Sequence, residues 1–175
     1  MIKRLTFALF VLLLPALSVW ADADKPNIVY ILADDQGWGD AQCYNPDSPL
    51  PTPGIDRIAR EGMRFTDAHS ASAVCTPTRY ALLTGRYAWR TKLQSGVLVG
   101  DKDPLIAEDT LTIGGLLKSQ GYKTACIGKW HLGFNYEFPE GKKSTKRKDL
   151  GNVLSVPIGT RILGGPTTRG FDTFL

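Results

Sequence analysis

Asn27-Ile28-Val29-Tyr30-Ile31-Leu32 is a continuous apolar, β-branched run, bounded by Pro26 before it and by Asp34-Asp35-Gln36-Gly37 after it. Such a run, without polar alternation, predicts a strand buried on both faces, as in a parallel sheet. Further along, Thr52-Pro53 follows a proline-rich loop and reads as a helix N-cap with Pro at the first helical position. Ile55, Ile58 and Ala59 then share one helical face, Gly62 stops the helix, and Met63, Phe65 and Thr66 restart an extended segment. Strand, helix and strand in so short a span make a βαβ unit. A second unit follows. Leu111, Leu116 and Leu117 fit a helix ending at Gly121, although Gly114-Gly115 weakens it, and residues 122–127 form a short strand stopped by Gly128. Between Tyr136 and Thr160 the pattern dissolves, and Lys142, Lys143, Lys146, Arg147 and Lys148 read as a solvated surface loop. The class is α/β, and no internal repeat is visible.

The composition, 43% hydrophobic and 22% charged over 175 residues, supplies a core and excludes disorder. Lys3 and Arg4 precede an apolar stretch over residues 5–19, then Val19-Trp20-Ala21 and Ala21-Asp22-Ala23 both fit the small-x-small rule. A signal peptide over residues 1–21 is expected, with cleavage after 21 or 23, since a membrane span needs about 20 apolar residues. The mature protein is then exported, periplasmic or extracellular, with no stable membrane span. Loss of Lys3 and Arg4 lowers a net charge of only +4, so nothing points to nucleic acid. Cys43, Cys75 and Cys126 are too few for a disulfide scaffold, and an odd set in an oxidising compartment points to a reactive or modified thiol. If Cys75 is that thiol, Cys43 and Cys126 either pair or stay single. The last residues, Gly170-Phe171-Asp172-Thr173-Phe174-Leu175, stop on apolar side chains, as in the N-terminal part of a longer protein.

Three clusters carry chemistry, each at a strand's carboxyl end or a helix start, where open α/β sheets gather ligands. Asp34-Asp35 repel each other unless a cation sits beside them, and a hard divalent ion takes such oxygens. The plainer alternative is an acidic turn facing water. Cys75-Thr76-Pro77-Thr78-Arg79 opens a helix running through Tyr80, Ala81, Leu82 and Leu83 to Gly85. That places position 75 just before free N–H groups and a positive dipole end, with Arg79 one turn along. A structural cysteine beside a surface arginine is the alternative. Gly128-Lys129-Trp130-His131-Leu132-Gly133 offers a compact cation and a donor or base near neutral pH, or else a simple glycine-bounded turn. All three falling together favours one site over three coincidences.

These residues resemble a family. Cys75-Thr-Pro-Thr-Arg79 with Thr84-Gly85 resembles the first sulfatase signature, and Gly121-Tyr122 through Gly128-Lys129-Trp130-His131 looks like the second. Pro26-Asn27-Ile28 through Asp34-Asp35-Gln36-Gly37, Pro53-x-Ile55-Asp56, Gly62-x-Arg64-Phe65 and Gly170-Phe171-Asp172 fit further landmarks. The chain is similar to type I, arylsulfatase-like sulfatases of the alkaline phosphatase superfamily. That implies a mostly parallel sheet flanked by helices, incomplete here, with residues 24–175 as part of the catalytic domain.

The resemblance also implies roles. Cys75 is oxidised to Cα-formylglycine by a separate maturation enzyme. Asp34, Asp35 and an oxygen of the modified Cys75 bind a divalent cation, usually Ca2+. Arg79 steadies the modified residue, Lys129 binds the sulfate of the ester substrate, and His131 hydrogen-bonds the modified residue's hydroxyl. An aldehyde hydrate attacks sulfur with one hydroxyl and displaces the alcohol. Its second hydroxyl then expels sulfate and restores the aldehyde. The remaining ligands, a histidine and a second lysine of the family pattern are not found in these residues, so the chain alone is expected to be inactive. Rival readings are a phosphonate or phosphate ester hydrolase of the same superfamily and a non-catalytic anion- or glycan-binding protein.

Overall fold

The structure, a computed structural model, describes residues 25–98, 102–143, 145–147 and 153–175. The expected signal peptide lies outside the described residues. The described chain falls into two units, one ending at Gln36 and one covering residues 37–175. In the first, residues 27–32 join no sheet among the described residues, and Val29 and Ile31 are 82% and 80% exposed. This corrects the expected buried strand. A parallel strand takes its backbone hydrogen bonds from neighbours on both flanks, so apolar pattern alone does not make one.

In the second unit the helix after Thr52 forms as α1, Pro53–Glu61, and Gly62 ends it by donating its N–H to the Ile58 carbonyl. α1 buries none of its side chains, and Ile58 is 64% exposed. Polar bonds anchor it instead. Asp56 Oδ1 accepts from the Cys43 N–H at 2.8 Å and from Thr52 Oγ1 at 3.1 Å, while Thr52 Oγ1 accepts from the Gln42 N–H at 2.9 Å. Arg64 donates to the Cys43 carbonyl and lies over the Tyr44 ring. Met63 and Phe65 are exposed and form no strand, so the first βαβ unit is also corrected.

Helix α2 spans Cys75–Thr84 and α3 spans Ile113–Ser119, with the Thr112 side chain accepting from the Gly115 N–H as an N-cap. The strand expected over residues 122–127 is shorter, β1, Ala125–Cys126. The next four strands lie within or at the edges of the stretch where the sequence pattern dissolves. β2 (Asn135–Glu137) pairs antiparallel with β5 (Arg161–Gly164), and, nested between them in sequence, β3 (Thr145–Arg147) pairs antiparallel with β4 (Val153–Ser155). The basic stretch is therefore not simply a loop: Lys146 and Arg147 lie on a strand, after the exposed Lys142 and Lys143, and Lys148 lies outside the described residues. β6, Thr173–Phe174, pairs parallel with β1, which keeps the parallel character the α/β class requires. Tyr80, Ala88, Leu105, Ile106, Trp130 and Leu132 form the buried core. Cys43, Cys75 and Cys126 are all free thiols.

Gly170-Phe171-Asp172 locks this core. Gly170 has φ +94, and a side chain there would meet the Gly115 Cα at 2.6 Å, so its backbone lies directly on the start of α3. Gly114 is closed in from the other side by Phe171 and Gly170, which explains glycines in a helix that propensity disfavours. Phe171 meets the Trp130 ring edge-on. Asp172 Oδ2 accepts from the Thr124 N–H at 2.9 Å, and Asp172 Oδ1 pairs with Lys118 at 2.7 Å. The hydrogen bond from Lys118, followed by that from Thr124, pulls the Asp172 carboxyl down to about 2.

Two predictions follow from that lock. Gly170→Ala combines left-handed strain with overpacking against α3 and is expected to cost on the order of 3 kcal/mol, read by urea denaturation. A carboxyl whose pKa is lowered on folding gives stability that is present above its ordinary value and lost as the pH falls through the folded one. The denaturation midpoint should therefore drop between about pH 4 and about pH 2, and Asp172→Asn should be less stable near neutrality and lack that part of the drop.

Candidate active site

Cys75 is the first residue of α2, one position further into the helix than expected, and it is partly exposed. Pro77 fits in the first turn because its missing N–H would have no intrahelical partner there. The N-cap is Val74, whose side chain has no oxygen and makes no cap hydrogen bond. At the other end Gly85, at φ +66, closes α2 with its N–H on the Ala81 carbonyl at 2.8 Å. Tyr80 is buried and holds the helix against the core.

The Lys129–His131 segment is set by what its neighbours bury. Trp130 and Leu132 are in the core, and the Trp130 indole N–H donates to the Gly133 carbonyl at 3.0 Å. Lys129 is exposed and His131 half-buried. His131 has φ +55, a left-handed conformation that costs a non-glycine residue roughly 1–2 kcal/mol and needs other contacts to hold it.

Those contacts come from α2. Arg79 Nη1 donates to the Lys129 carbonyl at 2.6 Å, and Thr76 Oγ1 donates to the His131 carbonyl at 3.0 Å. Four of the expected site residues, Cys75, Arg79, Lys129 and His131, are thereby brought together on two elements. Burial raises the Cys126 thiol pKa above its ordinary value, with Arg79 opposing in part, so this second cysteine stays protonated at neutral pH. Thr76, fully buried, is a residue the sequence reading did not single out. Its only signal is a hydroxyl at the position that the Cys75-x-Pro77-x-Arg79 spacing leaves open. Leu98 is another, and it contributes through its backbone, which no sequence pattern reveals. An open cleft of about 360 Å3, lined by Lys92, Leu93, Val97, Leu98, Lys102 and Asp103, adjoins that segment.

Asp34 and Asp35 lie in the other unit, and both are exposed. As donors, paired carboxylates suit a hard cation. Among the described residues, however, no three Asp, Glu, His or Cys side chains converge as a metal cluster. Ca2+ takes six to eight oxygens, so these two acids fit part of a shell. Also among the described residues, no helix is long and apolar enough to cross a membrane.

A family model described as Sulfatase matches residues 26–175. The chain belongs to the sulfatase family. Sulfatase relatives include an N-acetylgalactosamine-6-O-sulfatase of Bacteroides thetaiotaomicron, 46% identical over 112 residues, covering 64% of this chain and 22% of that protein. Human (Homo sapiens) arylsulfatase A is 40% identical over 146 residues, covering 83% of this chain and 28% of that protein. A solved structure from work on glycosaminoglycan metabolism by Bacteroides thetaiotaomicron superimposes with a TM-score of 0.66 at 37% identity, over 86% of this chain and 28% of that one. The fold is that of the sulfatases, α/β and alkaline phosphatase-like. The chain spans roughly a quarter of the length of these relatives. Isothermal calorimetry on the 175-residue chain should accordingly give no micromolar Ca2+ binding, because six to eight oxygens are needed and two acids supply few of them.

Proposed function

We propose that this sulfatase-family chain carries the nucleophile end of an enzyme that hydrolyses aryl or carbohydrate sulfate esters. The supporting observation is the junction of α2 with the Lys129–His131 segment, where Arg79 and Thr76 bond to the carbonyls of Lys129 and His131. These bonds tie the helix that starts at Cys75 to the segment that carries Lys129 and His131.

In this reading Cys75 is the position oxidised to formylglycine by a maturation enzyme, since a thiol forms no aldehyde hydrate. The hydrate supplies one hydroxyl to attack sulfur and a second to release sulfate. Lys129 binds the sulfate and offsets charge that builds on its oxygens, aided by the first-turn amides of α2. Arg79 keeps α2 and the lysine segment in register. His131 meets the hydroxyl of the modified residue. Asp34 and Asp35 would hold a divalent cation, most simply Ca2+, which when bound draws charge from the ester and favours an ionised hydroxyl. The chain by itself, with part of the ligand set, is inactive. The protein is exported to the periplasm or exterior, led there by residues 1–21. Relatives named for a hexosamine sulfate and for aryl sulfates leave both classes as candidate substrates.

The test pairs a mass measurement with a rate. In the full-length protein, the peptide carrying position 75 should be lighter than its thiol form by about 18 Da, the change from thiol to aldehyde. Turnover should favour an aryl sulfate over the matched aryl phosphate, and Cys75→Ala should abolish it. An unmodified thiol together with no sulfate turnover defeats the proposal, and a preference for phosphate assigns the chain to the phosphoesterase rival.

A further inference from the structure

On the sulfatase reading of this site, we propose that Thr76 is a positioning residue that fixes which ring nitrogen of His131 works and where it sits. Thr76 is 0% exposed, and its hydroxyl is used twice. Oγ1 donates to the His131 carbonyl at 3.0 Å and accepts from the Leu98 N–H at 3.2 Å. The Leu98 carbonyl in turn receives His131 Nε2 at 2.7 Å. One side chain therefore holds both the backbone of His131 and the residue against which its ring leans.

The consequence for the ring is chemical. A carbonyl only accepts, so the nitrogen facing Leu98 carries a proton. In the neutral imidazole this leaves the lone pair on Nδ1. That atom is buried and has no hydrogen-bond partner among the described residues. A buried polar atom without a partner is costly in a finished structure and is the mark of a group reserved for a ligand. Thr76 directly follows Cys75 in the chain. The neighbour of the nucleophile position and the histidine are thus joined by one hydroxyl, and Nδ1 is the atom left to accept from a hydroxyl at position 75.

Loss of that hydroxyl should loosen the histidine without removing any group that binds sulfate. In the full-length protein, Thr76→Val is expected to lower kcat on the order of tenfold or more with KM within about twofold, since a small misplacement of a reacting group carries a penalty of that size. Rates are normalised to the fraction of position 75 converted to aldehyde, measured by mass, because Thr76 lies inside the motif that is modified. Thr76→Ser keeps the hydroxyl and should stay within about threefold of the parent. Thr76→Val added to His131→Ala should lose nothing beyond His131→Ala alone.

Equal kcat per matured site in Thr76→Val and the parent would overturn the proposal. So would a Thr76→Ser loss as deep as that of His131→Ala, or additive losses in the double variant. If Thr76→Val does not fold or mature, Thr76→Ser and Thr76→Ala carry the comparison, with a gap of about tenfold expected between them and no gap counting against the proposal. Failure of the parent to turn over aryl sulfate, with an unmodified thiol, overturns the sulfatase reading and this proposal together. Parent turnover with an indifferent Thr76 removes this proposal only.

Discussion

Two hydrogen bonds from α2 to the carbonyls of Lys129 and His131 carry the architecture of this site. What these two bonds grip is the backbone of the receiving pair. A backbone carbonyl has no alternative protonation state and no rotamers, so a donor fixed on it places the neighbouring Cα–Cβ bonds with little freedom. The left-handed turn at His131 and the core burial of Trp130 and Leu132 then decide which way the cation and the imidazole face.

The site was more legible in the sequence than the sheet. Cys75, Pro77, Arg79 and Gly85 announce a helix start and stop by residue chemistry alone, and α2 formed within one residue of that reading. Gly128 and Gly133, both at positive φ, bracket the lysine and histidine as the spacing suggested. Residues 27–32 and the restart at Met63 and Phe65 were misread because a strand is a statement about neighbours. Their apolar pattern is real, but no described residue supplies the ladder. The antiparallel strands among residues 135–164 were missed for the opposite reason. Each runs only three or four residues, too short for alternation to show, and pairing with each other defines them.

Contacts made through backbone atoms stayed hidden altogether. Leu98 donates its amide to Thr76 and accepts from His131 with its carbonyl, so almost any residue type but proline could stand there and the sequence carries no sign of it. The Gly114-Gly115 pair looked like a weakness in α3 and is instead the surface on which Gly170 lies. Each case has the same physical origin: a close backbone approach leaves a signature in glycine positions or none at all.

The bond from the Thr124 amide to Asp172 joins residues 48 positions apart, and the Gly128 N–H meets the Leu175 carbonyl. The strand that leads into the lysine and histidine is therefore tied down from downstream. Long loop closure is slow compared with winding a local helix. On a growing chain α2 can wind early, whereas the segment after β1 gains these bonds only once Asp172 and Leu175 have been synthesised. Position 75 thus spends an interval on a wound helix before the segment that packs against it is fastened.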